Sequence, residues 1–260
     1  MVVRWKLWRC PKEALGRIPR DPAIGALGLM VALVLGSIGA AATAQFGPDD
    51  AVYARLLAGV AGNILQVLLF VAFANSTFMV AAGKPVPPHR AILTGLAGAV
   101  LSIPIVALFA IAVNAMLAAF GRPPAPEVAH ETLRILVERR DAILTILTLG
   151  HVALLVPAAE EAIWRGMLQP SMRRAGLGGL ASVAATSLLF TAVHWTVIPP
   201  DGRPVGLAML VVLSMALGIL RERTGSLLAP IALHGAFNAL NIALALLSTA
   251  GAANPVSSTP

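Results

Sequence analysis

The feature that most constrains this chain is a succession of long apolar runs. An α-helix rises about 1.5 Å per residue, so roughly 20 apolar residues cross the ~30 Å hydrocarbon core of a bilayer. Seven runs of this kind are read at 23–46, 55–82, 91–120, 142–170, 178–198, 205–221 and 226–249. They are too long for buried strands, which hold roughly 4–8 residues. A helix also satisfies its own backbone hydrogen bonds, which lipid requires. The expected fold class is therefore all-α, a polytopic transmembrane helical bundle of about seven spans. Composition agrees: 58% of residues are hydrophobic and 12% charged, roughly half the charge a soluble domain carries.

Glycine and proline mark the ends of the runs, at Gly47-Pro48, Gly83 to Pro85, Gly121 to Pro124, Gly176 to Gly179, Pro199 to Pro204 and Thr224-Gly225. The polar connection 121–141 is the longest, and Val128, Leu133, Ile135 and Leu136 in it are spaced for a short amphipathic helix. Residues 1–22 are basic and lack the apolar core of a cleavable signal, so they read as a cytoplasmic arm. The bundle occupies 23–250, and 251–260 reads as a disordered tail. Cys10 is the one cysteine, so no internal disulfide is expected.

The net charge of +7 does not signal nucleic acid, because the basic residues gather at the ends of the apolar runs. With the amino terminus inside, twelve lie on inner segments: Arg4, Lys6, Arg9, Lys12, Arg17, Arg20, Lys84, Arg90, Arg173, Arg174, Arg221 and Arg223. Six lie on outer segments: Arg55, Arg122, Arg134, Arg139, Arg140 and Arg203. The imbalance places the amino terminus in the cytoplasm and the carboxyl terminus outside. The expected setting is a bacterial cytoplasmic membrane, with the lipid bilayer as a partner.

An ionisable side chain at bilayer depth costs about 2.5–3.5 kcal/mol on insertion scales, so each one marks a candidate site. Such residues gather in the later runs: Glu160, Glu161 and Arg165, then His194, then His234, with His151 a weaker case. Glu161 and Arg165 are four apart, on one helix face, and suit an intrahelical ion pair. Glu160 lies about 100° around the helix with no local cation. Phe190 with His194, and His234 with Asn238, repeat the four-residue spacing. Counting from the inner arginines puts Glu160 roughly 18 Å deep, His194 roughly 24 Å and His234 roughly 13–16 Å. Helix tilt absorbs that stagger, so the three faces can meet. Pro157 and Pro230, just upstream of Glu160 and His234, are expected to disturb their helices there. His151 falls on the opposite face from Glu160 and reads as packing. Asn63, Gln66, Asn114 and Asn241 read as interhelical hydrogen bonders.

Glu160-Glu161-Ala-Ile-Trp-Arg165, Phe190-Thr-Ala-Val-His194 and His234-Gly-Ala-Phe-Asn238 resemble the motifs E-E-x-x-x-R, F-x-x-x-H and H-x-x-x-N. These are the three motifs, in order, of the CPBP (CAAX protease and bacteriocin-processing, or Abi) family. The resemblance covers about 142–245. Trp164 departs from the Phe or Tyr frequent in the family. The resemblance implies an intramembrane endopeptidase whose substrate is a peptide or membrane-protein tail, type II CAAX prenyl endopeptidase-like.

Peptide hydrolysis needs an activated water, a stabilised oxyanion and a proton for the leaving amine. Glu160 is the candidate general base, and His194 would hold the same water or shuttle a proton. His234 and Asn238 would donate to the oxyanion, and Glu161 with Arg165 would fix the helix. A second chemistry uses the same residues: Glu160, His194 and His234 as three zinc ligands with an open position. No His-Glu-x-x-His is present, since His130-Glu131 continues Thr132-Leu133-Arg134. Residue types and spacing leave zinc as a possible cofactor, with the metal-free water slightly preferred. A catalytically silent scaffold or immunity factor and a transporter are the rival functions.

The orientation has a direct test. In a Cys10→Ser background, Asp49→Cys should react with an impermeant thiol reagent added outside, and Pro87→Cys should be shielded. The reverse labelling pattern would refute the orientation.

Overall fold

The computed structural model describes residues 51–73, 86–124, 136, 138–139 and 141–252, with Val31 and Val34. Among the described residues every regular element is helical. In chain order, α1 is Ala51–Phe73 and α2 is Pro88–Ala119. Helix α3 is a continuous rod, Ala142–Arg174. Helix α4, Gly179–Val193, runs into a 3₁₀ turn, His194–Thr196. Helix α5 is Arg203–Thr224 and α6 is Leu228–Ala252.

Helices α1 to α5 are long and apolar enough to cross a membrane, α4 when its 3₁₀ turn is included. Helix α6 contributes a shorter apolar stretch, Leu228–Leu244. Among the described residues five such helices are found, so the expected seven spans are not confirmed. The run at 23–46, apart from two residues, and most of the 121–141 connection lie outside the described residues. Of that connection, Leu136 is buried against Leu144 and Ile242. The bundle wears its apolar side chains outward: Val100, Leu101, Leu108 and Ile111 of α2 and Ile143, Ile146 and Leu154 of α3 are each more than 60% exposed. A large exposed apolar surface of this kind fits contact with lipid.

Small residues set how closely the helices approach. Helix α2 packs chiefly on α6 and α5, and α4 on α5. A Cβ at Gly95 of α2 would strike the carbonyl of Ala229 and come within 2.8 Å of Ala232 Cβ, both on α6. A Cβ at Gly235 of α6 would strike the carbonyl of Ala153 on α3. These are close backbone approaches of the kind that glycine permits between membrane helices.

Three helix ends near the site have an identifiable cause. Asp141 caps α3, accepting from the N–H groups of Ile143 and Leu144, and takes a 2.8 Å hydrogen bond from the Tyr53 hydroxyl of α1. The Leu144 N–H and the Tyr53 hydroxyl hold its carboxyl below the ordinary aspartate range. Gly225, at φ +64°, turns the chain out of α5, with its N–H on Arg221 O. Pro230 lies in the first turn of α6, where a missing N–H breaks no bond. The expected disturbance at Pro230 is therefore absent. Pro157 does mark a disturbance: α3 continues through it, but the five residues 151–155 just before it widen into a π-helical segment. A second π segment spans Trp164–Leu168 and is followed by Pro170.

Of the amides expected to bridge helices, Asn63 Oδ1 meets His151 Nε2 at 2.8 Å, linking α1 to α3. Asn63 Nδ2 also donates to Gln66 within α1, and Asn241 Nδ2 donates to Phe237 O of its own helix. Gly95→Ala should lower thermal stability by about 1–3 kcal/mol, since the obstacle is backbone and cannot swing aside. Unchanged unfolding in detergent would show that α2 and α6 approach less closely than described.

Candidate active site

The second π segment and the turn before it place Glu160, Glu161 and Arg165 beside two imidazoles, His194 and His234, from other helices. Glu161 and Arg165 pair at 2.9 Å with neither side chain exposed. Arg165 Nη2 donates to Ser214 Oγ at 2.7 Å and to Ser214 O at 3.0 Å, which fastens α3 to α5. His234 of α6 places Nδ1 3.0 Å from the same Glu161 oxygen that Arg165 binds. The pair thus orients an imidazole as well as fixing its own helix.

Glu160 points the other way around α3. Its two oxygens lie 3.8 Å from His194 Nε2 and 3.7 Å from His234 Nε2. Both distances exceed a direct hydrogen bond. The Glu160 and His194 side chains are 22% and 21% exposed, whereas Glu161 is sealed. Two adjacent carboxylates therefore have different environments, one buried and bonded, one open and facing two imidazoles.

The ring tautomers follow from their partners. His194 Nδ1 is 2.7 Å from Phe190 O, an acceptor, so it carries hydrogen. His234 Nδ1 faces a carboxylate oxygen and carries hydrogen for the same reason. Both rings then turn Nε2 toward Glu160. With Glu161 balanced by Arg165, the site is neutral overall when one imidazole holds the proton that balances Glu160.

Phe190 is the packing centre. Its ring is buried and meets Trp164 edge-on at 5.4 Å, His194 at 4.5 Å and His234 edge-on at 6.4 Å. The Arg165 guanidinium stands 5.0 Å from the ring centre. His194 lies just past the end of α4, in the 3₁₀ turn, where its ring can reach back to the Phe190 carbonyl.

The structure thus gathers Glu160, Glu161, Arg165, His194 and His234. Asn238 stands one turn beyond His234, and its Nδ2 donates 2.9 Å to Val152 O of α3. One of its two N–H bonds is accordingly engaged in joining α6 to α3. Ser214 and Gln169 are participants that the sequence reading passed over. Gln169, fully buried, donates to Gly218 O and Glu222 of α5. A polar residue one turn after Arg165 inside an apolar run was the available signal.

The fit to zinc can be judged from the donors. A tetrahedral ion needs its donors within about 2.0–2.2 Å of one point. Glu160 faces His194 and His234 at ion-pair distances, but among the described residues no three His, Cys, Asp or Glu side chains are disposed as a metal-binding group.

The comparison with known proteins meets this geometry directly. Residues 142–240 match a family model described as type II CAAX prenyl endopeptidase Rce1-like. That segment is similar to the Rce1-like family. It runs from the first residue of α3 to two residues past Asn238, so it contains every residue gathered above. Together with the five apolar helices it marks an integral membrane protein. No curated protein and no solved structure matches the chain significantly.

Breaking the sealed pair should be costly. Arg165→Met leaves the Glu161 charge buried without its partner and should destabilise by about 3–5 kcal/mol, with a smaller loss for Glu161→Gln. Thermal unfolding in detergent measures both, and wild-type stability in Arg165→Met would mean the pair is solvated.

Proposed function

We propose that the chain is an intramembrane endopeptidase of the CAAX-protease type, with Glu160 as the base that activates the hydrolytic water. The observation that carries this reading is the position of Glu160, partly open and facing the Nε2 atoms of two imidazoles. At 3.7 and 3.8 Å the separations suit a bridging water rather than direct bonds. Glu161, sealed against Arg165, is not free for that role.

The steps follow from which atoms are available. Glu160 takes a proton as water attacks the scissile carbonyl, and His194 Nε2 holds that water and relays the proton toward the leaving amine. His234 donates from Nδ1 to Glu161, and a proton on its Nε2 would be donated to the developing oxyanion. Asn238 has its second N–H for the same oxyanion while the first keeps α6 on α3. The mechanism is metal-free in this reading. The chain spans a bacterial cytoplasmic membrane seven times with its amino terminus inside, and its substrate is a peptide tail with a lipid-embedded portion.

The test uses purified protein in detergent and a quenched-fluorescent farnesylated peptide ending in a CaaX sequence. Wild type should cleave it. Glu160→Gln should lose about 10²–10⁴-fold in turnover with unfolding unchanged, and cleavage should survive a zinc chelator. Full turnover by Glu160→Gln would remove the assignment. Chelator-sensitive activity with about one zinc per chain would replace the metal-free water with a metal-bound one.

A further inference from the structure

Helix α3 carries one irregularity twice, and the second copy holds the backbone of the site. In the first, Val156 N–H donates to His151 O, one residue further back than in an α-helix. The next residue, Pro157, has no N–H. Val152 O therefore receives neither its i+4 nor its i+5 backbone donor, and Asn238 Nδ2 of α6 fills the place at 2.9 Å. In the second copy, Gln169 N–H donates to Trp164 O, and the next residue is Pro170. Here the carbonyl left over is that of Arg165, and Arg221 Nε of α5 donates to it at 3.2 Å. Arg221 is buried despite its charge.

The position of this second closure matters. Arg165 binds Glu161, and Glu161 binds His234 Nδ1. A π segment holds one extra residue, so its loss would rotate one flank of α3 against the other by about 100°. The direction of the Arg165 side chain depends on which register the turn keeps.

We propose that Arg221 is a positioning residue for the site: by closing Arg165 O it holds the Trp164–Leu168 turn in its π register, and with it the Arg165–Glu161–His234 chain. The inference rests on the reading of Glu160 and His234 as reacting groups. Its test includes a readout that needs no substrate.

The full chain is labelled with ¹⁵N-histidine in detergent, and the His234 ring resonances, assigned with His234→Gln, report its tautomer and hydrogen bonds. Three variants are compared: Arg221→Leu, Pro170→Ala and the two combined. Pro170→Ala returns a backbone N–H at the i+5 position of Arg165 O. Arg221→Leu should shift the His234 ring signals and lower kcat on the farnesylated peptide about ten- to a hundredfold with KM little changed. Pro170→Ala alone should resemble wild type, and the double variant should regain the wild-type His234 signals and most of the turnover. An arginine that merely stabilised the bundle or anchored a lipid headgroup would not be rescued by a donor at position 170. If Arg221→Leu does not fold, Arg221→Lys, which keeps the charge but not the Nε geometry, enters the same comparison. An unrescued double variant, or an unmoved His234 spectrum in the Arg221 variant, overturns the proposal. A wild type that leaves the peptide intact would count against the proposed function and leave the His234 comparison standing.

Discussion

A carboxylate and a guanidinium sealed from water impose the strictest condition on this molecule. Neither Glu161 nor Arg165 has any exposed side chain, and an isolated charge in such a place costs several kcal/mol. The condition is met in part by donors and acceptors from other helices, while Glu161 Oε2 and Arg165 Nε stay buried without a hydrogen bond. Ser214 of α5 takes two bonds from Arg165, and His234 of α6 adds one to Glu161. Three helices are thereby fixed relative to one another by one charge pair. The same requirement sets the orientation of the His234 ring, so an element of stability and an element of the candidate site are the same bonds.

Helix α3, which carries this pair, is not a regular α-helix. Two π segments and two prolines leave the carbonyls of Val152 and Arg165 without backbone donors. In a membrane such groups must be bonded by protein. Asn238 and Arg221 do this from α6 and α5. The irregular backbone is a set of docking points, and Gly235, whose missing Cβ admits the Ala153 carbonyl, lies beside one of them.

Much of the site was legible because its residue types are so costly in an apolar run. Glu160, Glu161, Arg165, His194 and His234 stood out for that reason, and the four-residue spacing of Glu161 and Arg165 was enough to pair them. Ser214 did not stand out, because a lone serine is cheap in a membrane helix. The π segments were not legible either: periodicity reads a mean of about 3.6 residues per turn and does not register one inserted residue. Pro230 was misjudged because its effect depends on where α6 begins. An error of about two residues in that boundary turns an interior break into a harmless first-turn proline.

Sequence by itself indicated helices, borne out among the described residues, an apolar surface and which few residues are the candidates for chemistry. Each of these follows from composition and local spacing, which operate within one helix. Tertiary structure decided how the two adjacent carboxylates differ. Their neighbours, Ser214, His194 and His234, come from other helices, and no spacing along α3 specifies them. It also decided that Asn238 and Arg221 close particular carbonyls, because a hydrogen bond between helices depends on register and depth, which only the packed bundle fixes.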